Sequence, residues 1–120
     1  MAGVESALKD AMTIEGALGA ALGDHTSGMA LGTSGPAEVL SVAAAATTDI
    51  LRAQLRTLDL LGQHDQALED ILITLTGQYH LIRPLTRHKG LFLYLMLDRK
   101  RSNLAMARHH TRRIEAELKL

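Results

Sequence analysis

The stretch from Ile14 to Ser34, IEGALGAALGDHTSGMALGTS, constrains the fold more than any other part of this chain. Side chains alternate along a strand, so Leu18, Ala20 and Leu22 are expected on one face, with Ala17, Gly19, Ala21 and Gly23 on the other. The second arm continues the pattern, with Met29 and Leu31 opposed to Ala30 and Gly32. Asp24 to Gly28 supplies turn residues between the arms, and Gly28 is the natural site of a positive φ. The expected hairpin has one bulky apolar face and one nearly bare face, without a charge between Gly16 and Gly23. A strand apolar on both faces is covered on both, so the hairpin should lie inside a sheet with helices on each side. The bare face lets one helix approach closely.

Periodicity places the other elements. Val4 to Met12 reads as a short amphipathic helix before the hairpin. Gly35 as cap, Pro36 at the first helical position and Glu38 near the positive end of the dipole start a long helix that runs to about Leu61 and is closed by Gly62. Val39, Val42, Ala43, Ala46, Ile50, Ala53 and Thr57 form one stripe of this helix, expected against the sheet. Leu51, Leu55 and Leu58 form a second stripe, and two apolar stripes imply two partners. Three strands follow: Asp70 to Thr76, Gln78 to Arg83, and Leu91 to Leu97, the last apolar on both faces and so expected at the centre. A closing helix from Ser102 to Leu118 should bury Leu104, Ala107, Thr111, Ile114 and Leu118, leaving Glu115 outside and Ser102 as cap.

With 120 residues the chain is expected to form one domain, residues 1–120, with a sizeable core. It has no cysteine, which excludes disulfides, thiolate metal sites and a cysteine nucleophile. The longest apolar run, Leu91 to Leu97, is far short of the roughly 20 residues of a membrane span. The N-terminus has acids and no basic region before its apolar residues, unlike a signal peptide, so a cytoplasmic protein is expected.

The order of elements, with three particular stretches, resembles the roadblock/LC7 family, and most of all its small actinobacterial members. The stretches are I14-E-G-A-L-G-A-A-L22 with its turn, L-R-T-L-D-L-L-G62 at the end of the long helix, and N103-L-A-M-A-R108 after the last strand. The basic segment R99-K-R101 departs from the family pattern. The resemblance implies a profilin-like α+β sandwich: a five-stranded antiparallel sheet in order 2-1-5-4-3, one long helix on one face and two helices on the other. It further implies homodimerisation through the third strand and long helix, and a scaffold or regulatory role toward small Ras-like GTPases or signalling complexes. It offers no catalytic residues to carry over.

The residues themselves also point to a dimer. In a meander of the last three strands, Asp70 to Thr76 is an end strand, and an apolar, Pro-free edge is an aggregation hazard unless paired. The candidate interface is therefore Ile71, Ile73 and Leu75 on that strand, with Leu51, Gln54, Leu55 and Leu58 on the helix before it.

Charge supplies a second lead. Residues 1–60 hold three basic against seven acidic residues, residues 61–120 ten against six, and Asp98 is the only acid between Arg83 and Arg113. Arg87 and Lys89 in one loop, and Arg99, Lys100 and Arg101 in another, are expected to meet at one end of the sheet as a contact for an acidic partner. A solvated face balanced by acids elsewhere explains the same residues. Nucleic acid is not expected, because the overall formal charge is zero and only 2% of residues are aromatic, too few for base stacking.

Chemistry is sparse. His109 and His110 point about 100° apart on a helix and His-x3-His spacing is absent, so no metal site is expected. The glycines of the hairpin lie within a strand and no G-K-S/T follows, so no nucleotide-binding loop or other cofactor site is expected, nor an enzyme. The alternative to a dimeric regulator is a small-molecule sensor with a pocket between Ala17, Gly19 and Ala21 and the helix at Ala43 to Ala46.

Overall fold

The architecture is organised on its last and most apolar strand, as seen in a computed structural model that describes residues 3–120. The elements run α1 (Val4–Ala11), β1 (Ala17–Asp24), β2 (Met29–Ser34), α2 (Ala37–Leu60), β3 (Ile71–Thr74), β4 (Gln78–Pro84), β5 (Leu91–Asp98) and α3 (Leu104–Glu117). A 3-10 turn at Arg99–Arg101 joins the last two. The five strands form one antiparallel sheet in order β2-β1-β5-β4-β3. β5 is central, and its double-sided apolar sequence serves two cores. Leu93, Leu95 and Leu97 pack under α1 and α3 with Leu8, Ala11, Ala107 and Ile114. Phe92 and Tyr94 pack under α2 with Leu40, Ala44 and Leu51.

The hairpin forms with Gly28 at φ +79°, its N–H donating to Asp24 O at 2.8 Å. The Asp24 carboxylate accepts from both Thr26 Oγ1 (2.6 Å) and Thr26 N (2.8 Å), which holds it below the usual carboxylate range. Two irregularities change the expected faces. A register shift between Ala17 and Gly19 puts Ala17, not Leu18, on the side of Ala20 and Leu22, and Leu18 is exposed. A second shift opposite Leu22/Gly23 leaves Leu31 as the extra residue, and both Leu31 and Met29 are exposed on β2, which is an edge strand. Only the β1 arm of the hairpin is interior. Its small residues do admit a close approach: a Cβ at Gly19 would lie 3.0 Å from Leu40 Cδ2, and one at Gly23 would collide with the Phe92 ring.

α2 is clamped along β1. Its Arg52 donates from Nε to His25 O and from Nη2 to Thr26 O, both at 2.9 Å, so Arg52 lies at the β1–β2 turn. The residues that follow it extend about 12 Å further, at about 1.5 Å per residue. The buried stripe of α2 is Leu40, Ala44, Thr47, Thr48 and Leu51, not the expected Val39 to Thr57 stripe. Val42 of the expected stripe is 71% exposed and Ile50 is exposed as well. Thr48 satisfies its hydroxyl within the helix by donating to Ala44 O, so a threonine serves as a core residue at little cost.

α3 is capped by Asn103, whose side chain accepts from Met106 N at 3.1 Å, rather than by Ser102. Ser102 instead donates to Asp98 O at 2.6 Å, and Asp98 caps the 3-10 turn by accepting from Lys100 N. The expected stripe of α3 is buried at Ala107, Thr111, Ile114 and Leu118, while Leu104 is half-buried. Glu115, expected outside, is buried: Oε1 accepts from Arg83 Nη2 (2.8 Å) and Nε (2.9 Å), and Oε2 accepts from Thr86 N at 2.7 Å. Its desolvation would raise the carboxyl's pKa, but the N–H groups of Thr86 and Arg87 and the Arg83 guanidinium outweigh it, so the net shift is downward.

Candidate association surface

The α2 face of the sheet is only half covered. α2 lies over β1 and β2, and beside it an open groove of about 220 Å³ runs along the sheet. One wall of the groove is Ala43, Ala46, Thr47 and Ile50 of α2; its floor is Ile73 of β3, His80 and Ile82 of β4, and Tyr94 of β5. The register explains the floor: Ile73 pairs with His80, and Ile82 with Tyr94, so alternation brings these side chains to one face. The groove is apolar with two polar tips. Burial pushes the Tyr94 phenol up to about 12 and lowers the basicity of His80. The rings meet edge to face at 5.5 Å, and His80 Nε2 is 2.8 Å from Gln78 Oε1. β3, at the sheet edge, pairs on one side only.

The expected interface residues are distributed around this surface with one exception. Ile71 and Ile73 are half-buried on the α2 side of β3, and Leu75, just past its end, is exposed. Leu55 is exposed, with Gln54 and Leu58 half-buried, on the segment of α2 beyond Arg52. Leu51 is 0% exposed inside the protomer, so it has no surface to offer a second chain. The helical stripe next to the open sheet is instead Ala43, Ala46 and Ile50. His80 and Ile82 were legible as groove residues only through the alternation of Q-Y-H-L-I-R, once its pairing with Ile73 was known.

The basic residues do not meet. Arg87 and Lys89 lie in the loop before β5, while Arg99, Lys100 and Arg101 follow its last residue, so the eight residues of the strand separate the two groups. That distance is about 25 Å. Arg87 Nη1 donates to Ala116 O, whereas Arg99 Nη1 donates to Leu75 O and its guanidinium lies 5.5 Å from the Tyr79 ring centre. The sequence brought two loops together that an intact central strand holds apart. The space expected over Ala17, Gly19 and Ala21 is also absent as a pocket: Leu40 fills it above Gly19, and Ala44 belongs to the same packed cluster as Ala21.

The fold is shared with solved structures. A roadblock/LC7 domain from Streptomyces avermitilis is similar with a TM-score of 0.78 at 13% identity, covering 96% of this chain and 93% of the other. The chain has the roadblock/LC7 fold. Two MglB structures share this roadblock fold at 18% identity, each covering 93% of this chain and 82% of the other. The gliding protein MglB from Thermus thermophilus has a TM-score of 0.76, and an MglB in a tetrameric arrangement 0.77. No family model matches the sequence, and no curated protein does. Among the described residues, no helix of this roadblock fold is long and apolar enough to cross a membrane.

Proposed function

We propose that this chain, as one roadblock/LC7-like domain, is a non-catalytic homodimeric regulator or scaffold that docks a small Ras-like GTPase or its signalling complex in the cytoplasm. The observation that carries the dimer is the half-covered sheet face beside an edge strand paired on one side only. A two-fold axis beside β3 would pair β3 with its copy and lay the second α2 along the groove, so one contact covers both features. Ala43 and Ala46 allow helices to approach closely there, Ile50, Ile71 and Ile73 supply apolar area, and Leu55, Leu58, Gln54 and Leu75 extend the contact at its two ends. An interface of this kind needs about 800 Å² from each partner to be stable.

The GTPase role is supported by the fold shared with the MglB proteins and by the regulatory part that the roadblock/LC7 resemblance implies. Its test is direct: small GTPases encoded near this chain are assayed for nucleotide hydrolysis and nucleotide affinity with and without the purified protein. A change in either rate or affinity with one GTPase supports the role. Unchanged hydrolysis and nucleotide binding across all of them refutes it. The small-molecule reading loses its expected site, because Leu40 and Ala44 occupy the space over β1.

A further inference from the structure

On the opposite side of the molecule from α2, the α1–β1 connection and α3 enclose a second cleft, of about 240 Å³. Its position is fixed by the chain's own bonding. Asp98 N donates to Gly16 O at 2.7 Å, and Ser102 Oγ is 3.3 Å from Glu15 O, so the segment before β1 is held against the start of α3. Ile14 and Met106 form the apolar part of the cleft, and Met106 is 63% exposed, so its side chain is accessible to a partner. Around it stand His109, His110 and Arg113, with Glu15 as the one acid of the lining.

Arg113 is the one guanidinium of the lining. His110 is held by Asp10 at 2.8 Å, and Arg113 Nη2 lies 3.0 Å from the same ring nitrogen. Among the described residues, none of Lys100, Arg101, Arg112 and Arg113 has a carboxylate within ion-pair distance, whereas Lys9, Arg83 and Arg108 each have one. Arg101 is not part of the lining but is close to it in the chain path: its backbone carbon lies 3.2 Å from where a Cβ would be at Gly16, the residue after Glu15 of the cleft. The volume suits one large apolar side chain, since a cavity of about 150 Å³ already accepts benzene. It is small for a drug-sized ligand, whose pockets begin near ~300 Å³. No Phe, Tyr or Trp lines it, so the large stacking platforms typical of single-stranded nucleic-acid sites are missing from the lining.

We propose that this cleft is a docking site for an acidic protein segment that inserts one apolar side chain beside Met106 and sets its carboxylates against Arg113 and Arg101. The site is on the α1/α3 face and is left free by the proposed dimer, which would present two copies of it. Two binding faces on one dimer would give a scaffold its second partner.

The test is a titration of ¹⁵N-labelled protein with the blocked peptide Glu-Glu-Leu-Glu-Glu, followed by amide shifts. Shifts are expected at residues 13–16 and 103–113, with affinity about tenfold weaker for Glu-Glu-Ala-Glu-Glu. Arg113→Glu and, separately, Arg101→Glu should each weaken binding while leaving the dispersed spectrum intact; the second variant guards against a structural effect through His110. Three results would overturn the proposal: equal affinity for the leucine and alanine peptides, equal shifts around Arg87 to Lys89, or a stronger response at the same residues to oligothymidylate.

Discussion

Glu115→Ala removes the one buried carboxylate among the described residues, which has a full set of partners. The side chains of Glu115 and Arg83 are 5% and 14% exposed, so the substitution leaves a guanidinium enclosed between β4 and α3 without its counter-charge. Breaking such a pair by removing one member costs about 3–5 kcal/mol. Thr86 and Arg87, which also donate to Glu115, are exposed, and water replaces the carboxylate for them, so the lower half of that range is expected. For a chain of this size the loss corresponds to a fall in Tm of about 10–15 °C. Glu115→Gln should cost nearly as much, because every contact to the carboxylate is a donor and an amide presents a donor of its own to one side. Replacing both residues by Met should cost less than Glu115→Ala alone, since it removes the stranded charge as well. The assay is thermal and urea unfolding followed by far-ultraviolet circular dichroism at one fixed protomer concentration. A loss below about 1 kcal/mol for Glu115→Ala would refute the buried-pair account. The same pair sets an acid limit: a carboxyl held below its ordinary value of 4.5 stabilises the fold above that pH and loses the contribution as pH falls through its lowered value. Glu115→Gln should therefore flatten the acid limb of the stability profile.

Gly23→Ala should destabilise by about 1–3 kcal/mol, because the added methyl meets the ring of fully buried Phe92, which packs on its far side against α2; urea unfolding checks it, and a neutral result would mean that the ring has room to move. His80 should make self-association pH-dependent. Its basicity is already lowered by burial and a covering helix would lower it further, so association should weaken as pH falls through the protomer's lowered His80 value, below the ordinary 6.5, and His80→Gln should remove that slope. Sedimentation at several pH values measures this, and a dissociation constant that does not change with pH refutes it.

Much of the fold is legible because it depends on signals that survive any tertiary context. Leu91 to Leu97 is apolar at every position, which only a central strand covered on both faces tolerates. Gly28 falls where the hairpin needs a positive φ, and Pro36 and Gly62 bracket the long helix. The failures also have specific causes. Periodicity reveals two stripes on α2 but not which one the sheet takes. That choice was made by Leu40 meeting Gly19, by Arg52 reaching the β1–β2 turn, and by Thr47 and Thr48 passing as core residues. Two register shifts displaced Leu18 and Leu31, which simple alternation cannot anticipate. Glu115 looked solvated because its partner Arg83 is 32 residues away in sequence. The basic loops looked like neighbours because they are close along the chain, yet a full strand separates them. Of the proposed association surface, the edge position of β3 is legible in its place in the meander, whereas the stripe Ala43, Ala46 and Ile50 beside the groove is expected from sequence against the sheet.

Sedimentation velocity of the purified chain and of Ile73→Lys, at micromolar concentration and neutral pH, tests the dimer most directly. Ile73 is half-buried at the groove and on the edge strand, whose outer side is open, so a lysine there can reach solvent in the protomer but not once a second chain covers that edge. The account predicts a dimer for the parent chain and a folded monomer, with an unchanged circular dichroism spectrum, for Ile73→Lys. A parent chain that is monomeric throughout, or an Ile73→Lys variant that dimerises equally well, would contradict it.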